Sequence, residues 1–597
     1  MSQLTHPSPT SKLALRAGYF ALALYVALTV LSYLGTPLGD FDEALQLVHG
    51  RAVLQGRVPH ADFWSLYAPL NYYLNSWVFR LIGESVVNAR LLSLTALALS
   101  LWFPLRWLQT SLRQQPGLRL ALTAVCCFVL VHLLRIPQCN AAFLTWLVVW
   151  QHLQRVLSGK DPLGGYLVSG VACGLLSLIR INAGVYALGA FGLLLLFDAL
   201  RTSTPDWRKL VERSAALIGP YGAVLAAYLF GLGVPARQIL DQTLFVVSRI
   251  CEAGLAIDLR HNFPMILTVL GVVALGLGCM ALPNASSASA SDAKSPPDQK
   301  RFNSVTASVL LVTALTLFAF NALPHAALAK MHALVPVALL GCVVVCQWRR
   351  DCFTRPSFLA LTFLLASLQY YLIRSDQGHQ LALGPGVLAL LLTLDWPRLG
   401  RNRLTLIGVG AVCAFMPLPT NAENVRAWLL PINPKAALAA AHVLSAPRWR
   451  PCISDADWVA EGTLSPFARK LFPGDDELLA VRFINQVTRE SEPIFLGMSS
   501  HVRTRENNAR LAWLFERPLA TRYLQMEPAV ITTEPVQREI VNELERGIHW
   551  IVLADTLDTG DQNAWVPRSS LLDSYIASHY KETRTFGRIR VLERIAS

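Results

Sequence analysis

The sequence predicts a polytopic all-α membrane protein with a C-terminal extracytoplasmic α/β domain. Three observations carry that prediction: 53% of the 597 residues are hydrophobic, only 15% are charged, and the apolar residues recur in long uncharged stretches. Soluble domains carry about 25% charged residues, and a mean hydropathy of +0.41 leaves more apolar surface than one core absorbs. A soluble protein is excluded.

Windows of about 20 apolar residues place about thirteen spans, near 14–34, 86–108, 118–134, 140–157, 163–179, 184–200, 212–232, 263–282, 303–322, 331–347, 357–373, 380–395 and 404–420. The first follows Lys12 and Arg16 and lacks a small-x-small cleavage site, so it reads as an uncleaved span. The net charge of +13 is no nucleic-acid footprint. Residues 421–597 hold 21 Lys and Arg against 22 Asp and Glu, while residues 1–420 hold 31 against 17. The basic excess lies between spans, where positive charge is retained on the cytoplasmic side. With the N-terminus inside, the cytoplasmic segments carry 20 Lys and Arg, and the short outside loops carry seven. The expected orientation is N-inside and C-outside, and no nucleic acid partner is expected.

Residues 1–420 therefore form a transmembrane module, with a first outside loop at 35–85 and a flexible cytoplasmic linker at 283–301 rich in Ala, Ser, Asp and Pro. Residues 421–597 form the tail, which holds only Cys452 of the 11 cysteines and so has no disulfide framework. It alternates helical patterns (476–490, 535–545, 569–580) with strand patterns (493–497, 548–554, 583–594), which is an α/β order. No G-x-G-x-x-G, P-loop or H-E-x-x-H occurs in it. Its expected work is acceptor binding or covering the membrane site.

The most informative stretch is Gly39-Asp40-Phe41-Asp42-Glu43-Ala44, directly after the first span, followed by Gly50, Gly56, Pro59, Asp62-Phe63-Trp64, Tyr67, Pro69 and Gly83. Asp40 reads as a helix N-cap with Glu43 as its capping-box partner, which explains those two better than Asp42. Capping and catalysis are compatible, because a cap fixes where the neighbouring carboxylate points. The same outside face receives Arg180 at the end of the fifth span, Lys330 and His332 beside the tenth, and the short polar loop Arg374-Ser375-Asp376-Gln377-Gly378-His379. Ionisable residues gathered at one depth of a membrane are a functional signal, although Arg180 also reads as a snorkelling arginine and Lys330 as an interfacial anchor. Tyr67 and its aromatic neighbours read either as a stacking surface or as an interfacial belt.

One span, an outside Asp-Glu at a helix start, Gly and Pro punctuation, the Asp-Phe-Trp…Tyr…Pro stretch and then Arg90 together resemble the first loop of GT-C membrane glycosyltransferases. The pattern is most similar to glycosyltransferase family 39 and its RgtA/B/C/D-like relatives, which include protein O-mannosyltransferases and aminoarabinose transferases. The resemblance implies a GT-C-like fold in the bacterial cytoplasmic (inner) membrane. It also implies a donor sugar on a polyprenyl phosphate and a first-loop acidic residue as catalytic base, a role that falls on Asp42 of the Asp42-Glu43 pair. Asp40 and Asp42 also make an Asp-x-Asp, which leaves open whether a divalent metal, Mg or Mn, takes part.

The expected reaction is transfer of a sugar to the hydroxyl of a lipid, polysaccharide or protein acceptor, by a single displacement that inverts the anomeric centre. Such transfer needs a base for the acceptor proton and cations for the departing phosphate. Asp42 and Glu43 are the catalytic candidates, Arg374, His379, Arg180 and Lys330 the phosphate-binding candidates, and Asp40, Asp62, Tyr67 and Asp376 the supporting ones. The alternatives are a secondary transporter or lipid flippase and a noncatalytic scaffold of polysaccharide assembly. Convergence of Asp42, Arg374 and His379 on one outward cavity discriminates them.

Overall fold

The computed structural model describes residues 9–246 except 37, 40, 136–138, 160–162 and 202–205, short pieces between 355 and 363, residues 384–393 and 432–433, and residues 475–595 except 503–506, 528 and 556–567. The predicted spans at 263–282, 303–322, 331–347 and 404–420, the linker at 283–301 and the boundary near 420 lie outside the described residues.

The chain opens with α1 (Pro9–Leu34), then enters the first loop, which carries α2 (Asp42–Leu54) and α3 (Leu70–Ile82). Six helices follow: α4 (Val86–Ser111), α5 (Pro116–His132), α6 (Cys139–Leu157), α7 (Leu163–Ser177), α8 (Ile181–Arg201) and α9 (Trp207–Gly231). With α1 they coincide with the first seven predicted spans. A short α10 (Ala236–Leu240) and, much later, α11 (Gly384–Thr393) complete the described part of the membrane module. Among the described residues, α1 from Lys12, α4, α8 to Ala199, and α9 are long and apolar enough to cross a membrane. Large apolar side chains such as Phe20, Trp102, Phe103, Leu193 and Phe230 stand exposed on these helices, as a lipid-facing surface requires.

Small residues let the helices approach. A Cβ at Gly174 of α7 would come within 2.7 Å of Val224 Cβ on α9, and one at Gly170 would strike the Leu217 carbonyl. The G-x-x-x-G spacing thus forms the contact face between α7 and α9. The turn into α4 is set by capping. Gly83 ends α3 at φ 93°, Ser85 Oγ accepts the Asn88 N–H at 3.1 Å, and the Asn88 amide donates to the Ile82 and Gly83 carbonyls at 2.8 Å each.

The tail holds α12 (Asp475–Val487), β1 (Ile494–Gly497), α13 (Arg510–Phe515), α14 (Glu534–Glu545), β2 (Trp550–Leu553), α15 (Leu571–His579), β3 (Tyr580–Phe586) and β4 (Ile589–Arg594). The sheet order is β1-β2-β4-β3, with β1 and β2 parallel and the other pairs antiparallel. Sequence patterning merges β3 and β4 into one extended run; a two-residue turn at Gly587, φ 55°, divides them. Side chains alternate between two cores. Ile494, Leu496, Trp550, Val552 and Val591 share one core with α12, α13 and the first-loop residues Leu38, Phe41, Leu45 and Val48. Phe495, Ile551, Leu553 and Leu592 share the other with α14, α15 and Trp64. The tail and the first loop are therefore packed as one body.

Candidate active site

Asp42 is the first residue of α2, where unpaired backbone N–H groups and the helix dipole favour a carboxylate. Its N-cap is Phe41, which supplies no side-chain bond. The Tyr67 hydroxyl donates to Asp42 Oδ1 at 3.5 Å, the long end of a hydrogen bond. The Arg180 guanidinium lies over the Tyr67 ring, 5.8 Å from its centroid. All three side chains are half-buried. Residues far apart in sequence thus form one string of carboxylate, phenol and guanidinium.

Ser65 fixes the backbone at Tyr67. Its hydroxyl accepts from the Tyr67 N–H at 3.1 Å and from the Tyr72 hydroxyl at 2.7 Å while donating to the Tyr67 carbonyl at 2.9 Å. Burial pushes the Tyr72 phenol up from its usual value, the Ser65 bond draws it back, and the Asp42 charge adds to the rise, so Tyr72 stays protonated. The Leu70 N–H donates to the Leu178 carbonyl at 2.9 Å, which fastens the loop to the α7–α8 turn that carries Arg180.

Glu43 is held differently from its neighbour. Arg90, 2% exposed, grips it through Nε to Oε1 at 2.8 Å and Nη2 to Oε2 at 2.9 Å, and the Gly39 N–H reaches Oε2 at 3.1 Å. Arg90 Nη1 also donates to the Tyr33, Leu34 and Thr36 carbonyls at 3.2, 3.1 and 2.6 Å, satisfying the end of α1. Burial raises the Glu43 carboxyl, but the Arg90 charge and bonds outweigh it and hold the group below its ordinary value. The N-cap falls on Phe41 instead of the expected Asp40, which lies outside the described residues, and Glu43 reaches back to the Gly39 N–H and not to the N-cap, so no capping box forms there.

Sequence reasoning passed over the amides beside Asp42. Gln46, one turn along α2, accepts from Asn71 of α3, and Asn140 of α6 donates to Asn71 Oδ1 at 3.1 Å. The available signal was an amide on each of α2, α3 and α6, at Gln46, Asn71 and Asn140. Asp62 takes another place: its carboxylate accepts the Val58 N–H at 2.7 Å and lines a cavity of about 230 Å³ with Arg57, Arg522 and Glu539. Lys330, Arg374, Asp376 and His379 lie outside the described residues, and with them the full convergence test. Among the described residues no three His, Cys, Asp or Glu side chains converge as metal ligands. Asp40, the partner of Asp42 in the Asp-x-Asp, is not among them.

The chain shares its architecture with ArnT from Cupriavidus metallidurans bound to undecaprenyl phosphate, at 14% identity and a TM-score of 0.50, over 97% of this chain and 98% of that one. The chain has the fold of the GT-C glycosyltransferases. Residues 67–219, from Tyr67 into α9, match the family model for dolichyl-phosphate-mannose-protein mannosyltransferase. This GT-C segment contains Arg90 and Arg180 and begins after Asp42. Apo ArnT from the same organism aligns at 15% identity and TM-score 0.45 over 97% and 99% of the two chains. An Archaeoglobus fulgidus oligosaccharyltransferase tethered with an acceptor peptide aligns at 11% and 0.42 over 90% and 69%. No curated protein sequence matches the chain.

Proposed function

We propose that the protein is a membrane glycosyltransferase that moves a sugar from a polyprenyl-phosphate donor to an acceptor hydroxyl on the outer face of the bacterial cytoplasmic membrane. The observation that carries this reading is the string of Asp42, Tyr67 and Arg180 in a chain of GT-C fold. The ArnT structure of the same fold holds undecaprenyl phosphate, which supports a polyprenyl phosphate carrier.

Asp42 accepts the proton of the acceptor hydroxyl as its oxygen attacks the anomeric carbon. The bond from that carbon to the phosphate oxygen breaks, its electron pair stays on the phosphate, and the anomeric centre inverts. Arg180 offsets the charge that builds on the leaving phosphate, and Arg374, His379 and Lys330 are assigned to the same task from the same side of the membrane. Tyr67 orients the Asp42 carboxylate and seats Arg180. Glu43, with both oxygens engaged by Arg90 and Gly39, sets the direction of the α2 start rather than taking the proton.

The test is release of polyprenyl phosphate from a panel of polyprenyl-phosphate sugars by purified protein with a membrane-extract acceptor. Wild type and Asp42→Asn are compared with added Mg or Mn and with chelator. The expected result is a loss of about 10²-fold or more in Asp42→Asn with unchanged melting. Equal rates in the two proteins overturn the base assignment, and the chelator arm decides the metal.

A further inference from the structure

Between α2 and the tail lies a cavity of about 240 Å³ whose lining includes His49, Arg57, Phe63, Glu490, Arg517 and Thr521. His49 is 2% exposed, yet neither of its ring nitrogens has a hydrogen-bond partner. Its ring stacks on Phe63 at 4.4 Å and meets the edge of Tyr72 at 4.9 Å. Buried polar atoms are nearly always paired, so an orphaned imidazole on a cavity wall points to a group that enters the cavity. A neutral imidazole offers one donor and one acceptor, the pair that a sugar hydroxyl complements.

The charges add an acid to that hydroxyl. Two of the lining arginines are already matched: Arg51 to Glu84 and Glu516, and Arg522 to Glu539. Among the described residues the Arg57 guanidinium has no hydrogen-bond or ion-pair partner, and Arg517 donates to neutral oxygens alone, Thr488 Oγ1 at 3.0 Å, the Thr488 carbonyl at 3.4 Å and the Phe515 carbonyl at 3.2 Å. In this cavity these two guanidinium groups face one carboxylate that is not already paired, the exposed Glu490, and Arg57 also borders the neighbouring cavity that Asp62 lines. Pockets for drug-sized ligands run from about 300 Å³ upward, so this one suits a single sugar ring.

We propose that this joint binds one acidic saccharide unit, a uronic acid or a sugar phosphate, of the glycan acceptor. His49 pairs with a ring hydroxyl while Arg57 and Arg517 take the acid group. Asp42 and His49 are seven residues apart on α2, about 10 Å along its axis and on nearly the same face, so the unit bound here is remote from the reacting hydroxyl. The acceptor role rests on the glycosyl-transfer reading above, whereas the binding itself does not.

The test uses the full chain in lipid nanodiscs, titrated by calorimetry and saturation-transfer NMR with methyl glucuronide, glucose 1-phosphate, methyl glucoside and inorganic phosphate. Wild type is expected to bind at least one acidic sugar about tenfold more tightly than methyl glucoside or phosphate, and His49→Phe to lose about tenfold. Arg57→Gln, at a side chain with no hydrogen bond or ion pair among the described residues, is expected to remove the preference for the acidic sugar and keeps the test decisive if His49→Phe misfolds. Phosphate alone binding as well as glucose 1-phosphate, neutral sugar binding as well as acidic sugar, or affinities unchanged in both variants would each overturn the proposal. Asp42→Asn is expected to bind like wild type. Normal turnover by Asp42→Asn with intact sugar binding sinks the catalytic reading and spares this one.

Discussion

Asp42 and Glu43 are adjacent carboxylates that the fold uses in different ways. One oxygen of Asp42 meets a phenol at the limit of hydrogen bonding, while both oxygens of Glu43 are gripped by a buried arginine. The difference follows from helix geometry, since consecutive side chains on a helix point about 100° apart. Glu43 faces α1 and α4, and Asp42 faces the loop that carries Tyr67. Arg90 therefore sets the direction in which α2 starts, and through it the place of Asp42, because it joins the end of α1 to the first turn of α2. Truncating one partner of a buried ion pair leaves the other charge uncompensated, at a cost of about 3 kcal/mol or more. Arg90→Ala is expected to lower the melting temperature and also to cut turnover with an added polyprenyl-phosphate sugar. Arg90→Lys, which lacks the fork needed for both Glu43 oxygens and three carbonyls, is expected to recover little of either. Full activity in Arg90→Ala would mean that Asp42 is aimed by something other than this clamp.

At the scale of elements, α2 and α3 are braced against each other at Gly50. A Cβ there would come within 2.8 Å of Asn75 Cβ and 3.4 Å of Phe79 Cε2, and neither atom is the free end of a flexible chain. Gly50→Ala is expected to push α2 from α3, costing about 1–3 kcal/mol as overpacking does, and to weaken donor turnover by displacing Asp42. Melting curves and single-turnover rates on the same preparation read both, and a wild-type rate would show that α2 tolerates the shift. The existence of these helices was legible in the sequence. Spans 86–108, 140–157 and 212–232 fall on α4, α6 and α9 because a lipid-crossing helix needs an unbroken apolar run, which composition alone reveals. Asp42, Tyr67 and Arg180 were legible as residues facing one compartment. Their meeting was not, because it depends on the Leu70–Leu178 backbone bond and on Ser65, both products of packing. The Gln46–Asn71–Asn140 amides were missed for a related reason: periodicity registers which face is apolar and says nothing of three polar groups that meet between three helices. The split between β3 and β4 was missed because one glycine within a β-rich run carries the whole signal.

At the scale of the molecule, the tail and the first loop are fastened by charge as well as by their two shared apolar cores. Arg51 of α2 lies 3.7 Å over the Trp513 ring and donates to the Trp513 carbonyl at 2.8 Å, while Arg510 of the tail donates to the Leu38 carbonyl at 2.5 Å and to Glu477 at 2.6 Å. Two imidazoles of the first loop are buried. His60 bonds Gln242 at 3.0 Å and the Tyr228 hydroxyl at 2.9 Å, and His49 stands on the wall between α2 and the tail. Burial, with a smaller contribution from His60, pushes His49 down to about 3, and burial pushes His60 down against the raising effect of its Gln242 bond. A free imidazole takes its proton near pH 6.5, so the packed and unpacked forms bind protons equally above that pH. As pH falls from about 6.5 toward about 3, only the unpacked form gains a proton at His49, and the packed form loses stability. At pH 5 that loss is about 2 kcal/mol for His49, with His60 adding in the same direction. The melting temperature of the detergent-solubilised protein is expected to drop between pH 7 and pH 5, and His49→Phe, which keeps a ring against Phe63, is expected to flatten the drop while leaving the His60 share. Parallel pH curves for wild type and His49→Phe would mean that the wall between α2 and the tail does not hold the His49 imidazole neutral. A flattened curve would place the tail as a cover on the first loop, held in place partly by an imidazole that must stay neutral.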